Sequence, residues 1–208
     1  KDTSRGLGDV YKRQDIFLIQ ETKMIPKDKL PVIPGYTLVS KPRKQPIGKE
    51  KNRGGGLLTG IRNTIPFREI EDINVRDDND GVTEWLTIEI PLGKGEKWRI
   101  SNVYIPSERA GDSRGSTSET GVSTKFWPCK EGDLIAGDMN AHNIIWDPAL
   151  ETDKRGIEVE RGRLLEEWMD ENQMSVLNDG TTTHTNRKTD KESTPDVTIV
   201  HGLSLIHI

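Results

Sequence analysis

Residues 83–105 read TEWLTIEIPLGKGEKWRISNVYI, and their alternation decides the fold. Trp85, Thr87 and Glu89 fall on one side of an extended chain. Leu86, Ile88 and Ile90 fall on the other. The same alternation runs through Lys97–Ile105, and Pro91-Leu92-Gly93-Lys94-Gly95 between the two runs is turn chemistry. Two alternating runs joined by a short Gly-containing segment predict an antiparallel hairpin.

Working outward, Asp15–Gln20 and Asp133–Gly137 are short apolar runs of the buried-strand type, as is Leu57–Ile61 after Gly54-Gly55-Gly56. Tyr36–Ser40, Met174–Leu177 and Pro195–Val200 add three further strands. Arg163–Gln173 reads as a helix, with Leu164, Leu165, Trp168 and Met169 on one face and acids opposite. Ser107–Thr124, rich in Ser, Gly and Thr, reads as a loop, and Asn178-Asp179-Gly180 as a turn. Strands joined both by hairpins and by crossovers, with few helices, predict an α/β fold built in layers.

The 208 residues suit one domain, with 32% hydrophobic and 31% charged residues. The net charge of −4 neither marks nor excludes a nucleic-acid partner, because local patches steer phosphate. The single cysteine, Cys129, rules out an intramolecular disulfide. No apolar run approaches the ~20 residues of a membrane helix. The chain opens on Lys1, and residues 1–14 and 202–208 look like sequencing-adaptor read-through flanking a partial domain at 15–201.

Three polar positions sit where buried runs end: Glu21, Asp138 with Asn140, and Asp196. A carboxylate and an amide two residues apart on extended chain share a side. They suit a general base beside a donor to a phosphate oxygen. An Asx-type turn capping a loop accounts for the same residues equally well. For Glu21 alone, an ordinary surface acid is the plainer reading. The segment 41–53 carries six basic residues and one acidic one. Within it Lys41, Arg43, Lys44 and Arg53 are candidate contacts to DNA phosphate, or simply a solvated loop. The three glycines at 54–56 are no phosphate-binding loop, since no Gly-Lys-Ser/Thr follows.

Gln20-Glu21-Thr22, Asn102-Val103-Tyr104-Ile105-Pro106, Gly137-Asp138-Met139-Asn140-Ala141-His142 and Ser193-Thr194-Pro195-Asp196 occur in that order. The set resembles the endonuclease/exonuclease/phosphatase superfamily. More narrowly, it resembles the apurinic-type endonuclease domain of non-LTR, LINE-like retrotransposons of the ingi and jockey kind. Gly54–Leu58, Trp146-Asp147, Gly162–Leu165 and Val176–Gly180 are similar to that subgroup. The resemblance implies a four-layer α/β sandwich, two packed mixed sheets flanked by helices. It implies Mg²⁺, with Mn²⁺ as a substitute, held by Glu21. Asp138 would handle the attacking water or leaving group, Asn140 would stabilise phosphate, and Tyr104 would lie near the scissile bond. Thr183 and Asp196 would sit at the periphery.

The implied activity is DNA nicking that leaves a 3′-hydroxyl to prime reverse transcription. The domain would be monomeric and joined to a reverse transcriptase, in a parent element working in nucleus or cytoplasm. A preceding Asn-bearing strand and a following Ser-Asp-His are not in this chain, so the expectation is an impaired fragment. A phosphatase of the same superfamily, acting on a phosphorylated lipid or small molecule, is the alternative; an inactive binding fragment is another. A calcineurin-like phosphatase is rejected, because no Asp-x-His precedes Gly137-Asp138.

Overall fold

The computed structural model describes residues 14–42, 55–70, 83–107, 130–148, 150, 156–186 and 189–201. The chain tails, Cys129, Arg43, Lys44, Arg53 and all of the Ser107–Thr124 loop except Ser107 lie outside these residues. The described elements are β1 (Ile16–Ile19), β2 (Tyr36–Lys41), β3 (Leu57–Arg62), β4 (Arg68–Ile70), β5 (Glu84–Gly93), β6 (Glu96–Tyr104), β7 (Asp133–Asp138), α1 (Ile157–Glu171), β8 (Met174–Val176), β9 (His184–Thr185), β10 (Glu192–Ser193) and β11 (Asp196–His201).

They form a layered α/β sandwich. One sheet has the order β1-β3-β2 and is antiparallel throughout. The other has the order β4-β5-β6-β7-β11-β8 and is mixed, with β6 and β7 its parallel pair. The predicted hairpin is β5–β6, with a register shift between Pro91 and Gly93. A separate ribbon, β9–β10, stands just before β11.

The alternation in 83–105 now has a physical meaning. Leu86, Ile88, Ile90 and Ile100 face the small sheet, where Leu57, Ile61, Ile16, Leu18 and Val39 meet them. Trp85, Val103 and Ile105 face the other way, into a core with Leu165, Trp168 and Met169 of α1. Both faces of β5 and β6 are therefore buried, which explains why their middle residues are sequestered whichever way they point. Within the described residues the layers are small sheet, large sheet and helix.

The helix starts at Ile157, six residues before the expected Arg163. The apolar stripe marks only the part that packs on the sheet. The first turns present Arg161 and Gly162, which carry no apolar signal yet are buried against the loop after β7. Strand β4 and the β9–β10 ribbon escaped the pattern reading because two- and three-residue strands hold too few alternations to count. No helix among the described residues is long and apolar enough to cross a membrane.

Candidate functional site

The site is assembled at one level of the sandwich by register. Tyr104 pairs with Asp138 across the parallel β6–β7 ladder, and Asp138 pairs with Asp196 across the antiparallel β7–β11 ladder. Side chains at paired positions share a face, ~5 Å apart at Cβ. Tyr104, Asp138 and Asp196 therefore form a row across three strands. Tyr104 packs with Leu57 and Leu86, so the row lies on the face turned toward the small sheet.

The fourth member comes from that small sheet. Ile16 and Leu18 face the inter-sheet core, and Gln20 continues their side. Gln20 Nε2 donates to Asn102 Oδ1 at 2.7 Å. Asn102 is fully buried, and its Nδ2 donates to the Ile19 and Leu58 carbonyls at 3.2 and 3.1 Å. This side chain bridges the two sheets one step below the row.

Regular alternation would turn Glu21 away from the large sheet. Its backbone instead adopts φ 52°, a left-handed conformation that breaks the alternation. The Glu21 carboxylate then accepts a hydrogen bond from the Tyr104 hydroxyl. The segment is held by the glycines before β3: Thr22 N donates to Gly56 O at 3.1 Å and Lys23 N to Gly55 O at 2.8 Å. Gly56 N in turn donates to Glu84 Oε2 at 2.5 Å. The glycine run thus cradles the Glu21 turn.

Gly137 lies inside β7 at φ 153°, a backbone conformation that L side chains rarely adopt. A Cβ there would sit 1.9 Å from the Val103 carbonyl oxygen. Glycine lets β6 and β7 approach closely beside the row.

Asn140 has φ 43°, so among the described residues two of the six non-glycine residues at positive φ carry candidate site side chains. Such conformations cost of order 1 kcal/mol or more each and persist where the surroundings hold them. Asn140 N donates to Asp138 Oδ1 at 3.2 Å, and Asn140 Nδ2 donates to Ile105 O at 2.9 Å. The Asx-type turn and the carboxylate–amide pair are thus one structure. One amide hydrogen fixes the side chain, and Nδ2 carries a second.

The electrostatics of Asp138 follow from the row. Burial first, then the carboxylate of Asp196, push its carboxyl up to about 7. Glu21 pushes the same way, while the Asn140 N–H and the Arg161 guanidinium pull against it.

Thr183 lies beside Asp196, whose N–H donates to Thr183 Oγ1 at 3.4 Å. This separates it from Thr181 and Thr182. Lys41 ends β2, opposite Leu57 of β3, at the same end of the small sheet as Glu21, and is exposed. His142 is a buried hydrogen-bonder in the loop after β7, its Nδ1 3.0 Å from Asp147 Oδ2. Pattern reading missed Asn102, Glu84 and Arg161. Each acts on backbone groups or across sheets, where spacing along the chain leaves no trace.

The donor set around Asp138 is all oxygen. Among the described residues no three His, Cys, Asp or Glu side chains cluster as a ready-made metal cage. Mg²⁺ suits such a place, since it keeps several waters and takes one or two carboxylates.

A family model described as "Endonuclease-reverse transcriptase" matches residues 98–206. Among solved structures, the endonuclease domain of TRAS1, a telomere-specific non-LTR retrotransposon, superposes with TM-score 0.58 at 15% identity, covering 96% of this chain and 77% of that one. D. rerio TDP2 complexed with single-strand DNA product aligns with TM-score 0.42 at 12% identity, over 94% and 75%. No curated protein matches significantly.

Proposed function

From a chain that belongs to the endonuclease-reverse transcriptase family, we propose that it hydrolyses phosphodiester bonds of DNA in a divalent-metal-dependent nicking reaction. The observation that carries this reading is the row Tyr104–Asp138–Asp196, closed by Glu21 from the opposite sheet.

Asp138 accepts a proton of the water attacking phosphorus, the P–O3′ bond breaks, and the departing 3′-oxygen takes a proton from solvent, leaving a 3′-hydroxyl and a 5′-phosphate. Asn140, held by Ile105 O, offers its second amide hydrogen to a phosphoryl oxygen where charge develops. Tyr104 orients Glu21 through its hydroxyl. Glu21 would hold the cation, Mg²⁺ or in its place Mn²⁺. Bound there, it would neutralise phosphate charge and help the leaving oxygen. The repulsion that Asp196 and Glu21 exert on the Asp138 carboxylate supports this assignment, because a cation relieves it. Thr183 supports Asp196 from the edge. Lys41 with Arg43, Lys44 and Arg53 would contact DNA phosphate. The domain would act as a monomer joined to a reverse transcriptase.

The test is conversion of supercoiled plasmid to open circles by the purified protein in Mg²⁺. Weak nicking that disappears with EDTA and in Asp138→Ala is expected. Phosphate release from inositol phosphates with plasmid left intact would replace this reading with a phosphatase.

A further inference from the structure

We propose that Arg161 is a positioning residue that clamps the Asp138–Asn140 turn in its working conformation, an assignment that rests on the nuclease reading above. Arg161 comes from the second turn of α1 and is 2% exposed. A buried guanidinium is costly unless its donors are satisfied. Here three of its bonds go to backbone carbonyls of the site. Nη1 donates to Asn140 O at 2.7 Å and to Met139 O at 3.2 Å. Nη2 donates to Pro106 O at 3.3 Å. Those carbonyls belong to two different segments, the chain leaving β6 after Tyr104 and the chain leaving β7 after Asp138.

The fork geometry explains why arginine stands here. Five donors on a rigid plane can reach carbonyls on two segments at once, whereas one ammonium point cannot hold the same spread. Asn140 sits at φ 43°, a conformation that needs an external hold, and its carbonyl receives the shortest of the three bonds.

The neighbouring residue serves the same contact. Gly162 brings the helix so close that a Cβ would lie 2.0 Å from the His142 carbonyl oxygen. His142 N donates to Glu158 O at 2.9 Å. Gly162 lowers helix propensity at this interior position, a cost accepted for the close approach. Helix α1 is therefore more than a core-covering layer. Its N-terminal half is the backing plate of the site turn, and Arg161 is the bolt.

The test combines kinetics with a readout independent of activity. Arg161→Gln and Arg161→Met are compared with wild type by hydrogen–deuterium exchange and by plasmid nicking. The expected result is faster exchange confined to 105–107 and 139–142. With it, kcat should fall ~100-fold or more while KM stays within about threefold. Arg161→Gln, which keeps a donor, should lie between wild type and Arg161→Met, and added guanidinium should restore part of the kcat of Arg161→Met. If Arg161→Met fails to fold, Arg161→Gln alone decides. Unchanged exchange in both segments, or a kcat equal to wild type, overturns the clamp. Exchange that rises across the whole chain, with kcat and KM moving together, overturns it as well. If wild type does not nick DNA, the nuclease reading fails, and the exchange data still decide whether Arg161 holds the turn.

Discussion

Asp138 faces Asp196 across an antiparallel pair, with Glu21 nearby and burial on the remaining sides. Its carboxyl moves from 3.8 to about 7, so the folded protein binds a proton that the unfolded chain gives up. The stabilising contribution of that proton is full below about pH 4 and is lost progressively as the pH rises to about 7. Asp138→Asn removes the penalty at high pH. It should therefore melt above wild type at pH 8, by about 1–2 kcal/mol once screening at this half-buried group is allowed for. The gap should close at pH 4.5, and nicking should fall at least ~100-fold. A gap in melting temperature that ignores pH would show that Asp138 is not in repulsive company. Gly137 is the second sharp case. Gly137→Ala drives a methyl into the Val103 carbonyl, a backbone atom that cannot swing aside. Loss of roughly 3 kcal/mol or more in urea melts is expected.

At the scale of elements, Asn102 is a buried polar bridge between the two sheets. Asn102 ties β6 to β1 and β3, and Gln20 completes it next to Glu21. Asn102→Leu leaves Gln20 without that partner and should cost about 2–3 kcal/mol in urea unfolding. The larger consequence should be kinetic. Glu21 follows Gln20 directly after β1, so nicking in Asn102→Leu should require more Mg²⁺ than wild type for half-maximal rate. An unchanged Mg²⁺ requirement would mean that the glycine cradle at Gly55 and Gly56 positions Glu21 alone.

For the molecule as a whole, carboxylates gathered at one end of the sandwich favour a cation between them and a phosphate. Mg²⁺ should then raise the melting temperature in proportion to the logarithm of its concentration above Kd, with or without DNA. The rise should shrink in Glu21→Ala. A calorimetric titration showing equal shifts for both proteins would remove Glu21 as the ligand. Lys41 sits at the same end of the sandwich and projects to solvent. If it contacts a phosphate, Lys41→Ala lowers the salt dependence of DNA affinity by about one counterion without changing sequence preference. An unaltered slope places DNA elsewhere.

In the chain itself Glu21, Asp138 with Asn140, and Asp196 stand where apolar runs end, a placement that a capped loop or a surface acid explains as well; their candidate roles, and Tyr104 altogether, came from the family resemblance. A period of two is a property of the backbone that the sequence must respect. The hairpin at 83–105 is legible for that reason, down to which residues share a face. What only the tertiary structure decided is the set of contacts that cross between segments. The strand register put Tyr104, Asp138 and Asp196 into one row. The left-handed backbone at Glu21 turned that side chain toward Tyr104, where alternation pointed it away. Arg161, Asn102 and Gly162 act on carbonyl groups and on empty space. Every residue carries a carbonyl, so nothing in the order of side chains says which one an arginine will reach. That choice is made by packing, when α1 closes on the loop after β7.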